Sequence, residues 1–332
     1  MFKYVVKRVL LAILILFGVS VILYALMRIM PANYIEDQFI LQNSKVDVPE
    51  EVLKEMLQAQ LDAAGLGGKT FWEIVRDYFI WLGNLLKGDM GYSYKYEEPV
   101  ADVISRYMWI SFGISFVSLI LEMLIAIPLG IKCAVNQYGK LDYVATVLCM
   151  VGIAFPSFFL ANILIKWFAV DLGWFPVTYA GAGEGGGFMG FLDIIWRLIL
   201  PMVVLVVLNI GGLMRYTRTN TLEVLNADYI RTARAKGLSE GKVIYKHVFR
   251  NTLIPLVTQL AFTLPTLFGG AMITEQIFSL PGIGQIAYNG LREGDVFLAM
   301  GYNMFLAVLT VIGVLLADIM YAVVDPRIKL GK

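Results

Sequence analysis

Charge is what this chain of 332 residues has least of. Asp, Glu, Lys and Arg together make up 16% of it, where a soluble domain of this size carries roughly a quarter. That shortage excludes a chain solvated by water on all sides, and hydrophobic residues, at 58%, stand where the charges would be. Cysteine is nearly missing too. Cys133 and Cys149 are the only two; they lie beside apolar runs at no metal-ligand spacing, so we expect both to be free and buried, with no disulfide framework and no metal site. Histidine occurs once, as His247 in a basic stretch, where we expect a surface or lipid-interface side chain rather than a catalyst. Neither sign of charge dominates: a net charge of +1 excludes the global basic bias of a nucleic-acid binder.

Intact nucleotide-binding motifs are lacking as well. Gly68-Lys69-Thr70 ends like a phosphate-binding loop, but the first glycine of that motif would fall on Ala63 and no strand precedes it. Gly237-Leu238-Ser239-Glu240-Gly241-Lys242 has too few residues between its glycines and ends in Val243. Gly181, Gly183 and Gly186 match a dinucleotide fingerprint by spacing alone, in a glycine-rich connection without a βαβ pattern. A nucleotide used by this protein is therefore expected on another chain, and catalytic, cofactor-binding and metal-ligating residues are expected to be none.

What the chain does have is long apolar runs. A helix needs about 20 apolar residues to cross the hydrocarbon core, and six stretches meet or approach that length: Val9–Ile29, Met108–Ile131, Tyr143–Ile165, Leu198–Met214, Thr252–Thr274 and Val296–Ala317. The first follows Lys3, Lys7 and Arg8, yet its apolar core is longer than the 7–15 residues of a signal peptide and no small-residue cleavage site follows, so it reads as a retained anchor. The fourth is short and needs Arg197 and Arg215 to snorkel. Pro156, Pro201, Pro255 and Pro265 fall inside the third, fourth and fifth, which membrane helices tolerate where neighbours satisfy the freed carbonyls.

Basic residues set the orientation. Lys3, Lys7 and Arg8, then Lys132 and Lys140, then the Arg- and Lys-rich 215–250 connection, then Arg327, Lys329 and Lys332 fall on one side if six helices alternate. That side is expected to be the cytoplasm, with both termini in it. On the other side, residues 31–107 carry 13 acidic against 7 basic side chains, and residues 169–196 carry Asp171, Glu184 and Asp193 with no Lys or Arg. The expected organisation is a cytoplasmic start and first helix over 1–30, an external segment over 31–107, a five-helix core over 108–324 containing the 215–250 loop, and a cytoplasmic tail over 325–332. Within the external segment, apolar spacing predicts helices over Glu50–Ala64 and Phe71–Leu86, then a turn at Lys87-Gly88-Asp89-Met90-Gly91. These form either a folded cap or a contact for a partner.

Three places stand out as candidate functional residues. Glu122 is a carboxylate inside the second run, and must face protein or water there: it is either part of a pathway or a polar tie to a neighbouring helix. Pro265, Gly269, Gly270, Pro281, Gly282 and Gly284 make the exit of the fifth run pliable, as a gate or partner contact, unless they only end a helix. Residues 227–239 have helix formers, a basic face, Gly237 at a C-cap and a restart at Ser239. This short helix either serves as a lever gripped by a soluble motor or lies on anionic lipid.

Residues 227–239 resemble the coupling-helix motif of binding-protein-dependent ABC importer permeases, written Glu-Ala-Ala with Gly four residues after the last Ala. Arg231, Thr232, Ala233 and Gly237 take those positions; the first two depart from the general form, and Pro255 lies further along than it expects. The run from Asp228 to Leu238, followed by Arg250-Asn251-Thr252-Leu253-Ile254-Pro255, is similar to the oligopeptide/dipeptide/nickel branch. So are Lys7-Arg8, Gly88-Asp89-Met90-Gly91-Tyr92-Ser93, the run Glu275-Gln276-Ile277-Phe278-Ser279-Leu280-Pro281-Gly282-Ile283-Gly284, and Asp325-Pro326-Arg327-Ile328. Pro31-Ala32-Asn33-Tyr34 departs from the Pro-Gly-Asp-Pro-like turn of that branch. The resemblance spans nearly the whole chain. It implies an all-α membrane protein of about six helices with the type I ABC importer permease fold, in a bacterial or archaeal cell membrane. It implies a second permease subunit, two cytoplasmic ATPase subunits that carry ATP and Mg, and an external binding protein, with this chain as the first permease of the pair. It further implies an ATPase-coupling site at Asp228, Tyr229, Arg231, Thr232, Ala233, Arg234, Ala235, Lys236 and Gly237, and makes Glu275 a candidate pathway or gate residue beside Glu122 and the Pro/Gly set. Peptides are the implied cargo, with nickel and glutathione as alternatives. The rivals from other classes are a scaffold subunit that moves nothing and a proton-coupled secondary carrier. One internal Glu and no evident repeat argue against the carrier.

Overall fold

The computed structural model describes residues 2–29, 40, 49–63, 67 and 70–324. The Pro31–Tyr34 turn, Gly68-Lys69 and the tail from Asp325 lie outside the described residues. The chain divides into two compact units.

The first unit takes residues 1–109 and 281–315. It contains α1 (Phe2–Ile29), α2 (Glu50–Ala63), α3 (Phe71–Leu86), a hairpin of β1 (Tyr92–Ser93) and β2 (Glu98–Pro99), the start of α4 (Val100–Val135), α12 (Ile283–Arg292) and most of α13 (Val296–Val324). Both helices expected in the external segment form. The N-terminus of α3 is fixed by a capping box: Glu73 N–H donates to Thr70 Oγ1 and Thr70 N–H to Glu73 Oε2, which satisfies two of the backbone donors that every helix start leaves open. The expected turn follows, with Gly88 at φ 88° and Gly91 at φ 90°, values that suit glycine. The hairpin was not foreseen, because two-residue strands carry no readable alternation. It leads into a core of Tyr24, Tyr78, Trp81, Val100, Val103 and Phe297. Asp295 starts α13 by accepting the Leu298 N–H at 3.0 Å. The same carboxylate takes the Ser93 hydroxyl at 2.5 Å and the Lys95 N–H at 3.2 Å, tying the hairpin to the helix start.

The second unit takes residues 110–280 and 316–331. After α4 come α5 (Lys140–Ala154), α6 (Ser157–Leu164) running on as a π-helical turn over Ile165–Asp171, α7 (Gly187–Leu225), α8 (Asp228–Ala235), α9 (Glu240–Lys242), a π-helical stretch over Val243–Val248, α10 (Phe249–Gly269) and α11 (Met272–Phe278). Glycines set how closely α4, α5 and α7 approach. A Cβ on Gly211 would stand 2.8 Å from the Cys149 carbonyl oxygen, one on Gly152 3.0 Å from that of Val207, and one on Gly130 2.7 Å from that of Met214. Small residues at such crossings let membrane helices gain packing that lipid does not supply. Cys133 and Cys149 are free and buried in this packing, as expected.

Among the described residues four helices are long and apolar enough to cross a membrane by themselves: Val6–Arg28, Val100–Val135, Gly187–Leu225 and Val296–Asp318. With α5 and α6 counted as one broken span, and α10, they occupy the six stretches expected. Three of those stretches differ in form. Tyr143–Ile165 is not one straight helix: α5 and α6 meet at a bend of 102°, because Phe155, held extended at ψ 128° ahead of Pro156, cannot continue the helix. Thr252–Thr274 is interrupted at Gly270, where φ is 74°. Leu198–Met214 is the middle of a 39-residue helix, about 58 Å at 1.5 Å per residue, roughly twice the hydrocarbon thickness. Arg197 does not snorkel to its end. It pairs with Asp193 at 2.9 Å and donates to the carbonyls of Thr178 and Ala180, holding the glycine-rich connection in place.

Candidate functional site

The short basic helix forms where the sequence places it. Asp228–Ala235 is α8; Gly237 adopts φ 76° just past its C-cap at Lys236, and Ser239 stands at the N-cap position of the next turn without a side-chain capping bond. An eight-residue helix is not stable alone. Its hold comes from Ile230, fully buried, and Ala233, which pack on Val243 and Val248 of the π-helical stretch with Val224 and Leu225 of α7 beside them. Burying an isoleucine contributes about 1.5–3 kcal/mol. The anchoring face is therefore Ile230 and Ala233, which periodicity over eight residues was too short to reveal.

The opposite face is presented outward. Tyr229 is half exposed, and Arg231 and Asp228 are highly exposed with 3.8 Å between their charged groups. Arg234, one of the residues of the implied coupling site, pairs with Glu240 through both Nε and Nη2, at 2.8 and 3.3 Å. Thr232 is bonded to its own helix, its hydroxyl donating to the Asp228 carbonyl. Ala235 closes the helix and Lys236 is exposed. The last part of α7, which leads to α8, is tied to α5 by a contact that sequence reading missed. Arg218 on α7 makes two 2.7 Å bonds to Asp142 on α5, whose Oδ2 also accepts the Tyr138 N–H. The partners are 76 residues apart, so no local signal announces them.

A cavity of about 590 Å³ opens among α4, α7 and α10. Its polar lining includes Ser118, Glu122, Asn209, Tyr216, Gln259 and Thr263. Glu122 lines it and makes no hydrogen bond or ion pair to a described residue, and Ser118 Oγ is buried without a hydrogen bond. Of the candidate gate residues, Gly270 lines the cavity and Gly269 ends α10 at its rim, while Pro265 is buried within α10. Glu275 does not line it. Its Oε1 accepts the Ser111 hydroxyl at 2.6 Å and the Ala271 N–H at 3.1 Å, so it ties the start of α11 to α4. Pro281 and Gly282 belong to the other unit, where Gly282 precedes α12. Asn209, Gln259 and Thr263 escaped notice because each is an uncharged polar residue within an apolar run, and only the packing brings them together.

Residues 126–330, which contain α8 and its anchoring stretch, match the family described as binding-protein-dependent transport system inner membrane component. The chain belongs to this family. Similar proteins include the oligopeptide transport system permease protein AppB of Bacillus subtilis, 36% identical over 99% of this chain and 100% of that one. The OppB oligopeptide permeases of Haemophilus influenzae and Salmonella typhimurium are each 32% identical, again over 99% of this chain and 100% of theirs. Among solved structures, the MetNI methionine ABC transporter in inward-facing conformations aligns at a TM-score of 0.50 and 20% identity, over 67% of this chain and 96% of that one, a likeness of fold. This chain is thus a multi-pass inner membrane permease component of an ABC importer with the type I fold. Other subunits of such an importer are its partners.

Proposed function

We propose that this permease forms one half of the pathway by which an ATP-driven importer takes up peptides handed over by an external binding protein. A second permease completes the pathway, and two cytoplasmic ATPase subunits bind and hydrolyse ATP. Peptide as the cargo is supported by the full-length similarity to permeases named for oligopeptide transport. The observation that carries the reading is mechanical. A cavity among membrane-spanning helices, with polar side chains on a largely apolar wall, has α7 as one side, and α8 hangs from the end of that same α7. A pull on α8 therefore reaches the cavity wall through one continuous helix, braced by the Arg218–Asp142 pair.

ATP binding closes the two ATPases on α8 and turns the cavity outward; hydrolysis returns it. Coupling requires that the two states differ in affinity for ATP and for cargo. In this reading Tyr229 and Arg231 are the surface the ATPase grips, with both termini and α8 in the cytoplasm. The test is Gly237→Arg in the complete complex reconstituted in vesicles. At φ 76° a side chain is strained, so the turn that aims α8 is altered. ATP hydrolysis should persist while uptake of labelled peptide falls about tenfold or more, a change of ~1.4 kcal/mol in coupling. Normal uptake by this variant would remove α8 as the lever.

A further inference from the structure

We propose that α3, although it belongs to the connection between the first two spans, lies in the bilayer as an interfacial helix. Its exposed face, Trp72, Phe79, Ile80 and Leu86, contacts the acyl chains of the leaflet at the C-terminal end of α1.

The argument begins with depth. Between Arg8 and Arg28, α1 carries no charged residue. Twenty steps of 1.5 Å make about 30 Å, the thickness of the hydrocarbon core, so these two arginines mark its two surfaces. Against this ruler α3 docks well below the Arg28 level. Tyr78 Oη is 2.8 Å from Ser20 Oγ, and the Tyr78 ring stands edge-on to Phe17 with centroids 6.1 Å apart. Ser20 lies about 12 Å and Phe17 about 17 Å inward from Arg28 along the helix. Tyr24, about 6 Å inward, packs on Tyr78 and Trp81 and reaches the Ile74 carbonyl. Even allowing for the length of a tyrosine, these contacts hold α3 at the headgroup–acyl boundary rather than above the membrane.

The surface chemistry agrees. The docked face of α3 is Asp77, Tyr78 and Trp81. The opposite face should be polar if water met it. Instead Trp72, Phe79, Ile80 and Leu86 are exposed, at 78%, 58%, 40% and 81%, spaced seven, one and six residues apart along one side. The charges are placed as an interface requires. Asp77 is buried beside Arg28 and Arg76, and the exposed Arg76 and the C-cap Lys87 have side chains long enough to snorkel to phosphates. Aromatic residues favour this depth. On α1 the exposed apolar Leu14 and Val21, three and four residues from Phe17, lie beside the docking stripe, so α3 continues a surface that is already in lipid.

The test uses the assembled importer in phosphatidylcholine vesicles, with spin labels on single cysteines at Phe79, Ile80 and Lys87 in a C133A/C149A background. Labels at Phe79 and Ile80 should collide several-fold more with oxygen than with a water-soluble nickel chelate, and the label at Lys87 should reverse that order. Nickel access at Phe79 and Ile80 equal to that at Lys87 would overturn the proposal. So would shielding of both positions from both agents, with or without added binding protein, since protein rather than lipid would then cover the face. A second measurement needs no new cysteine. Lipids brominated on the acyl chain should quench tryptophan fluorescence in the unlabelled importer, and W72F should remove part of the quenched signal; an unchanged quenched fraction in W72F counts against lipid contact at Trp72.

Discussion

Asp295 and Glu122 show how differently two carboxylates near the membrane are used. Asp295 is fully buried and holds the hairpin to the start of α13. Its pKa is raised: burial is the largest cause and outweighs the bonds from Ser93 and from the N–H groups of Leu298, Lys95 and Tyr94. The folded state therefore binds the proton more tightly than the unfolded chain. The stability this group contributes is fully present below the ordinary aspartate value and is lost as pH rises through the raised one. Asn keeps an acceptor for the Leu298 N–H but cannot titrate. The thermal midpoint of the parent minus that of D295N should therefore fall as pH climbs from about 4, and a rising difference would reverse the assignment. Glu122 faces an open cavity and binds no described residue. A polar tie would survive as Gln, whereas a charge that serves the pathway would not. We expect E122Q to assemble with an unchanged thermal midpoint and to lose about tenfold in peptide uptake, ~1.4 kcal/mol in a barrier; full uptake would return Glu122 to a packing role.

At the scale of elements, the legible parts are those with chemical punctuation. The ends of α8 were readable because Gly237 and Ser239 mark a stop and a restart, and α3 because Trp72, Val75, Phe79, Leu82 and Leu86 recur at helical spacing up to the turn at Gly88. The bend between α5 and α6 was not read, because a proline within a span can be absorbed or can break it, and neighbours decide which. The glycine crossings were equally silent: Gly211 and Gly212 are adjacent in sequence and opposite in meaning. A Cβ at Gly211 meets the Cys149 carbonyl at 2.8 Å, and one at Gly212 meets nothing within 4 Å. G211A should push α5 and α7 apart at a cost of about 1–3 kcal/mol, while G212A should be neutral or gain up to about 1 kcal/mol from helix propensity. Thermal unfolding of the two variants in detergent separates them, and equal midpoints would remove the close crossing as a determinant of packing.

For the whole molecule, lipid makes the sequence easier to read along its length than across it. Apolar runs must exist wherever the chain crosses hydrocarbon, so the six stretches were visible. Which side chains face the cavity was not, because any face of such a helix can be apolar without cost. Sidedness is legible through charge alone. The 226–239 segment lies in a strongly basic connection, and the connection around Ala182 lacks Lys and Arg from residue 169 to 196. Cytoplasmic connections carry the excess of Lys and Arg, and only a cytoplasmic α8 can meet an ATPase. In a C133A/C149A background, a cysteine at Ala182 should react with a membrane-impermeant maleimide on intact cells. One at Ser239 should react only after the membrane is opened. Labelling of Ser239 from outside would invert the whole arrangement, place α8 beyond the reach of any cytoplasmic motor, and leave the cavity without a drive.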